Sequence, residues 1–334
     1  MNRNRIVCWP MALAWAACVA AAGAPAPAWS GRALAHRVVA GSPYAGDSAG
    51  ARLAFVTDAT NLVLSLGFAD QAALAGHDYW LSAGEWRVDG RTQATFSRTS
   101  RAGGVQEVAL ALDGPPRERA HEIFLPLADR VEFRGLAVND GARLRAAAPP
   151  PGRRVVAYGD SITQGFYASR PSRSYPFLLA EATGWDVLNM GFCGRATSPD
   201  DAAAIAAQKP DGVIVMIGVN DALAGVDLSA FTARFGEFLA GLARECPGVP
   251  VRVVTPLPVV GGKWKADGLE ECRAAIRAAV AAAKAPQVGL IEGPDLLPGE
   301  EGLFADGLHP NDAGFETLAR HLEKALRASG FPGP

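Results

Sequence analysis

Residues 155–165 read Val155-Val156-Ala157-Tyr158-Gly159-Asp160-Ser161-Ile162-Thr163-Gln164-Gly165. A short, unbroken apolar run enters a tight polar turn, and helical spacing follows. Such a run suits a strand buried on both faces, as happens when helices cover both sides of a parallel sheet. Four similar runs follow at 187–190, 213–217, 251–255 and 288–291, with helical patterns between them. Phe235, Phe238, Leu239 and Leu242 recur on one helical face, as do Cys272, Ile276 and Val280. The last helix begins after Pro310, with Asn311 or Asp312 placed to cap it, and its stripe is Phe315, Leu318, Leu322 and Leu326. The expected fold of this half is a doubly wound α/β sheet of five parallel strands.

Moving toward the N-terminus, Ala146-Ala147-Ala148-Pro149-Pro150-Pro151-Gly152 interrupts all periodicity and reads as a domain junction. Before it, short apolar or alternating runs at 52–57, 61–66, 106–112, 122–127 and 131–138 are divided by turn residues, with no convincing helix. That pattern predicts a β-sandwich. The expected organisation is a β-sandwich domain over 29–148 and an α/β domain over 149–334.

Residues 1–28 have a different character. Arg3 and Arg5 precede an Ala-rich apolar run over 11–23, and small residues follow at Ala22, Ala24, Ala26 and Ala28. This order of basic, apolar and small-x-small segments is that of a secretory signal peptide, so the protein is expected to be exported to the periplasm or the medium. The run is shorter than the roughly 20 apolar residues of a spanning helix. Lipid attachment through Cys18 is the lesser alternative, because Trp15 stands where such a site usually has Leu.

Composition narrows the partners. With 32 Lys plus Arg against 34 Asp plus Glu in 334 residues, the chain has no basic field for nucleic acid or an anionic membrane. Cys193, Cys246 and Cys272 are an odd number without metal-type spacing, so neither a disulfide scaffold nor a zinc site is expected. Cys246 and Cys272 read as buried thiols on helix faces, with a disulfide between them as the alternative.

Ligands of doubly wound sheets bind beyond the carboxyl ends of the strands, and the polar residues of this half collect there. The ends of the first three strands carry Gly159-Asp160-Ser161, then Gly191-Phe192-Cys193-Gly194, then Gly218-Val219-Asn220-Asp221, and the loop before the last helix reads Asp306-Gly307-Leu308-His309-Pro310. A serine hydroxyl is a weak nucleophile until an imidazole takes its proton, and the imidazole needs a carboxylate to set its tautomer. Ser161, His309 and Asp306 supply these types, and a tight turn can bring Asp306 against the ring of the histidine three residues later. Asp160 and Asp221 read as loop-tying acceptors, and Cys193 as a small wall residue.

In order and placement these four clusters resemble the consensus blocks of the SGNH hydrolase superfamily, the GDSL esterases, over residues 153 to 329. The resemblance implies a flavodoxin-like α/β/α domain and a serine esterase forming an acyl-enzyme without a cofactor. It implies catalytic Ser161, His309 and Asp306, with an oxyanion hole of the Ser161 and Gly194 backbone N–H groups and the Asn220 amide. Gly76-His77-Asp78-Tyr79-Trp80 and the 122–127 segment resemble landmarks of the β-sandwich that precedes the hydrolase domain in one branch, although Tyr79 directly follows Asp78 where that branch has Leu between them. The sandwich-plus-hydrolase arrangement resembles esterases that deacetylate plant-wall polysaccharides, which makes short-chain, acetyl esters of carbohydrates the expected substrates. An O-acyltransferase with the same triad and a catalytically idle carbohydrate-binding protein are the alternatives. Tyr167, Arg170 and Trp264 stand in loops that can line the substrate site, and each is equally readable as a packing or surface residue.

Overall fold

In a computed structural model of the chain, which describes residues 28–30, 48–70, 83–148, 150–225 and 227–333, the N-terminal half is antiparallel β structure. Its strands are β1 (Ala28–Ser30), β2 (Arg52–Thr57), β3 (Asn61–Phe68), β4 (Gly84–Val88), β5 (Arg91–Phe96), β6 (Gly104–Ala111), β7 (Arg119–Phe124), β8 (Val131–Val138) and β9 (Leu144–Ala146). One sheet runs β1-β2-β7-β4-β5, with β9 also paired to β2, and the other runs β6-β3-β8. Alternation sends Leu62, Leu64 and Leu66 of β3 inward, where they meet Leu53, Phe55, Trp86 and Ile123 in one buried cluster. The sandwich follows from two sheets each having one apolar face. The signal-peptide reading of 1–28, save the backbone of Ala28, and the Gly76–Trp80 landmark fall outside the described residues.

Two strands lie outside the runs read from the sequence, and one run is corrected. β4 and β5 lie in a stretch without an apolar alternation, because β4 is buried on both faces and carries Glu85 and Arg87 on one of them. The run at 122–127 does not form a strand over its length: β7 spans Arg119–Phe124 and stops before Pro126, which has no N–H for a ladder. Leu125 still packs in the sandwich core, and Leu127 reaches the second half of the chain, where its carbonyl accepts the Gln164 amide.

That half carries the five parallel strands β10 (Arg154–Gly159), β11 (Asp186–Gly191), β12 (Gly212–Met216), β13 (Val251–Val254) and β14 (Val288–Ile291), in the order β11-β10-β12-β13-β14. Between them come α1 (Ser161–Gln164), α2 (Tyr175–Thr183), α3 (Asp201–Ala206), α4 (Val219–Leu223), α5 (Leu228–Glu245) and α6 (Leu269–Ala282), and after β14 come α7 (Gly293–Leu296) and α8 (Asp312–Ala328). Val156, Tyr158, Val213 and Val215 face Phe231, Phe235, Phe238 and Leu239 of α5 and Cys272 and Ile276 of α6. Val155, Ala157, Ile214 and Met216 face Tyr175 and Leu179 of α2 and Phe315, Leu318, Leu322 and Leu326 of α8. Burial on both faces is why these strands read as continuous apolar runs. Cys246 and Cys272 are free, buried thiols. None of the described helices is long and apolar enough to cross a membrane.

The halves meet through buried polar contacts. The Glu85 carboxylate accepts the Ser172 N–H and hydroxyl, both at 3.0 Å, and Arg170 Nε lies 3.4 Å from it. Arg87 donates to Glu181 at 2.7 Å, and Phe124 meets Phe177 edge-on at 5.0 Å.

Inside the sandwich, His121 stacks on Phe55 and Trp86 and accepts the indole N–H of Trp86 at 3.2 Å. Burial lowers its pKa from 6.5 to about 4, with Asp89 pulling up and Arg119 pushing down. The unfolded chain therefore binds more protons between these values, and this group's contribution to stability is lost as pH falls from 6.5 to about 4. Asp129 and Asp160, pushed up to about 7 by burial, act in the opposite direction, so the informative quantity is a difference between variants. Urea midpoints at pH 7 and pH 5 should show His121→Phe losing stability against the parent at pH 7 and regaining part of that deficit at pH 5.

Candidate active site

The strand register builds the site. Gly159 at the end of β10 pairs with Gly191 of β11 and with Met216 of β12, so the turns that follow all three strands leave one edge of the sheet together. The first turn packs against β11 so closely that a Cβ on Gly191 would run into the backbone of Thr163 and Gln164. Glycine is required there for the approach itself.

Asp160 caps α1 by accepting the Ile162 N–H at 3.0 Å, which leaves Ser161 in the first turn, where helix N–H groups have no intrahelical partner. Ser161 Oγ lies 2.9 Å from His309 Nε2, and both residues are buried. Asp306 Oδ2 lies 3.0 Å from His309 Nδ1. The same carboxylate accepts the N–H groups of Leu308 at 3.0 Å and His309 at 2.9 Å, so the short loop folds around its own acid. Burial pushes Asp306 upward, but the bonds and charge of His309 together with these N–H groups outweigh it and hold it at about 2. An ionised carboxylate can only accept, so Nδ1 carries the ring proton and Nε2 presents its lone pair to the Ser161 hydroxyl.

The other two turns bring the remaining predicted residues to this edge. Gly194 has φ +76°, a left-handed conformation that side chains rarely adopt, and nothing crowds the place where a Cβ would stand. The Asn220 amide donates one N–H to the Arg195 carbonyl at 2.9 Å, which orients the side chain while using one of its two donors. Arg195 itself is buried, its guanidinium 4.0 Å from the Phe192 ring and 4.4 Å from the Tyr158 ring. Asp221 accepts from Thr197 N and from Arg234, at 3.3 and 3.0 Å, and burial raises its pKa. Asp160 and Asp221 thus tie loops, as read from the sequence.

The three loop candidates separate. Tyr167 is 43% exposed, has a left-handed φ of 68° unusual for a bulky residue, and sets its ring 5.6 Å from that of His309. The Trp264 indole N–H is taken by the Asp306 carbonyl at 3.1 Å, and its ring stands edge-on 6.2 Å from that of His309, so it walls the acid loop and borders the base as well. Arg170 is directed to Glu85 and Ser172 at the contact between the halves. Arg195 and Gln164 were not singled out from the sequence; a charged or amide side chain in a turn carries no local sign of burial. Among the described residues no group of three or more His, Cys, Asp and Glu is arranged to hold a metal ion.

Residues 157–317 match the GDSL-like lipase/acylhydrolase family. The C-terminal half is a GDSL-like acylhydrolase domain of the SGNH type, the class of carboxylic ester hydrolases. No curated protein matches the chain by sequence. Among solved structures, a protein described as a GDSL-like lipase from Bacteroides ovatus is 22% identical with a TM-score of 0.77, covering 90% of this chain and 95% of that one. A salicylyl-acyltransferase from a tetracycline biosynthetic pathway is 20% identical with a TM-score of 0.73, covering 86% and 85%. A family two carbohydrate esterase from Clostridium thermocellum, solved with cellohexaose, is 16% identical with a TM-score of 0.67, covering 84% and 92%. These likenesses show that the acylhydrolase domain and the antiparallel region before it form a shared fold.

The geometry gives the Ser161 hydroxyl a base within hydrogen-bond reach. A fluorophosphate is therefore expected to label the protein once, at Ser161, by intact-mass and peptide analysis. Asp306→Asn should slow that labelling by about 10²-fold or more, the scale of general-base assistance. Equal labelling of Ser161→Ala would show that another residue reacts.

Proposed function

We propose that the protein is an exported serine esterase that removes short acyl groups, acetyl above all, from carbohydrate esters. The observation that carries this reading is the continuous chain Asp306–His309–Ser161 at 3.0 and 2.9 Å, at the edge where Gly194 and Asn220 also stand. Residues 1–28 would direct export, 29–148 would be the accessory sandwich and 149–334 the catalytic domain.

In this mechanism Ser161 Oγ attacks the ester carbonyl carbon while its proton passes to His309 Nε2. The Asp306 carboxylate stabilises the imidazolium that forms. The carbonyl oxygen gains negative charge and is met by the N–H groups of Ser161 and Gly194 and by the second amide N–H of Asn220. Each such donor typically contributes about 3 kcal/mol to the transition state. Collapse breaks the bond to the alcohol oxygen, which leaves with the proton from Nε2. Water then repeats the sequence on the acyl-enzyme, releasing the carboxylic acid and free Ser161.

Tyr167 is the residue proposed to meet the substrate's alcohol portion, since an exposed ring beside the base suits stacking on a sugar face. The arrangement of sandwich and hydrolase domain that this chain has in common with family two carbohydrate esterases supports the carbohydrate assignment. An alcohol taking the place of water would turn the same acyl-enzyme into an O-acyltransferase. The likeness to a salicylyl-acyltransferase is of the same kind, one of fold, and supports this transferase as the second reading.

The test is hydrolysis of a p-nitrophenyl ester series from acetyl to octanoyl, then of acetylated xylo-oligosaccharides. Turnover should fall with chain length, vanish in Ser161→Ala with the fold retained, and drop about 10²–10³-fold in kcat for Asn220→Ala. Wild-type rates in Ser161→Ala would sink the assignment.

A further inference from the structure

Gln164 is fully buried, and both ends of its side-chain amide have a backbone partner. Its Oε1 accepts the Cys193 N–H at 2.6 Å, and its Nε2 donates to the Leu127 carbonyl at 2.9 Å. The partners fix which end is which: an N–H requires the oxygen, and a carbonyl requires the nitrogen. Leu127 lies where the chain leaves β7 after Pro126, and its carbonyl also accepts the Ala49 N–H at 3.1 Å, so its position is set by the antiparallel region. Cys193 is the residue before Gly194. The backbone of Gln164 is held too, its N–H by the Asp160 carbonyl at 2.9 Å and its carbonyl by the Asn189 amide at 3.4 Å.

We propose that Gln164 is a positioning residue that ties the Gly194 oxyanion loop to the antiparallel region, so that the sandwich forms part of the frame in which the transition state is held. This rests on the esterase reading given above. Fixing the 193–194 peptide matters because a donor stabilises the developing oxyanion only when it is already aimed at it, whereas the neutral ground-state ester makes weaker demands. An amide is the ordinary side chain with the reach to accept at one end and donate at the other. The second half of the chain cannot make this bridge alone, since its far support is the Leu127 carbonyl.

The experiment uses the full mature chain with p-nitrophenyl acetate and phenylboronic acid, whose tetrahedral serine adduct mimics the intermediate. Gln164→Met keeps the shape and removes both bonds. Its kcat should fall about 10- to 100-fold with KM changed less than about threefold, and its Ki for the boronic acid should rise by a similar factor. Titration with a fluorophosphate normalises each rate to the active fraction. Gln164→Glu keeps the acceptor for Cys193 N–H, loses the donor when ionised and regains it when protonated. Its kcat relative to wild type should therefore rise as pH falls, whereas the ratio for Gln164→Met, which carries no titrating group, should stay constant with pH. Glu181→Gln, which cuts a different contact between the halves, should leave kcat unchanged.

A folded Gln164→Met with wild-type kcat and boronic acid affinity would overturn the proposal. If Gln164→Met does not fold, a pH-independent rate ratio for Gln164→Glu would do so, and failure of both variants to fold would assign Gln164 a purely structural role. Failure of the esterase reading is separately visible as turnover that does not depend on Ser161, and it would remove this inference as well.

Discussion

Everything at the site depends on the place of β10 between β11 and β12 in the parallel sheet, with Gly159 in register with Gly191 on one side and Met216 on the other. Because β11 and β12 flank the strand that carries the nucleophile, the three turns that follow them converge without any long excursion of the chain. The price of this convergence is steric: a turn seated on the end of β11 leaves no room for a side chain at Gly191. The last loop completes the set from across the sheet, where Asp306 gathers two backbone N–H groups and the ring of His309 into one compact turn. That preorganisation keeps the acid ionised and fixes the tautomer before any substrate arrives.

A second layer of polar groups lies beneath these residues, and its balance shows how much charge the fold tolerates. Glu85 is fully buried yet accepts from Ser172 and Thr92 and lies beside Arg170, so its charge is compensated where the halves meet. Asp160 has its pKa raised to about 7 by burial, while the Ile162 N–H and the positive field of Arg195 act against that rise. Arg195 is set between aromatic rings near the Tyr158–Asp201 hydrogen bond, and its carbonyl orients Asn220. Buried charge is tolerated in this layer because each group has donors, acceptors or ring faces directed at it.

Local pattern revealed most of the parallel sheet. The runs at 52–57, 131–138 and 288–291 match β2, β8 and β14, and the other runs differ from their strands by one or two residues at the ends or, for the 122–127 run, by the shift before Pro126. Strands buried between helical layers, or alternating against one apolar core, advertise themselves because burial follows one rule along their length. β4 and β5 had no such signature. Glu85 and Arg87 are buried by residues from the other half of the chain, and no window of local sequence can register a surface that arrives from beyond position 170.

The sequence by itself determined the fold class of the second half, the turn chemistry at its strand ends and the residue types Ser161, Asp306, His309, Gly194 and Asn220, because these depend on periodicity and on what a given reaction requires. Tertiary structure alone decided which polar side chains face the site and which hold it together. It set Tyr167 and Trp264 beside the base, turned Arg170 to the contact between the halves, and placed Gln164 between two backbone segments from different halves. These assignments rest on contacts between residues separated by tens to hundreds of positions. Such contacts are fixed by how whole layers pack, and no short stretch of chain encodes them.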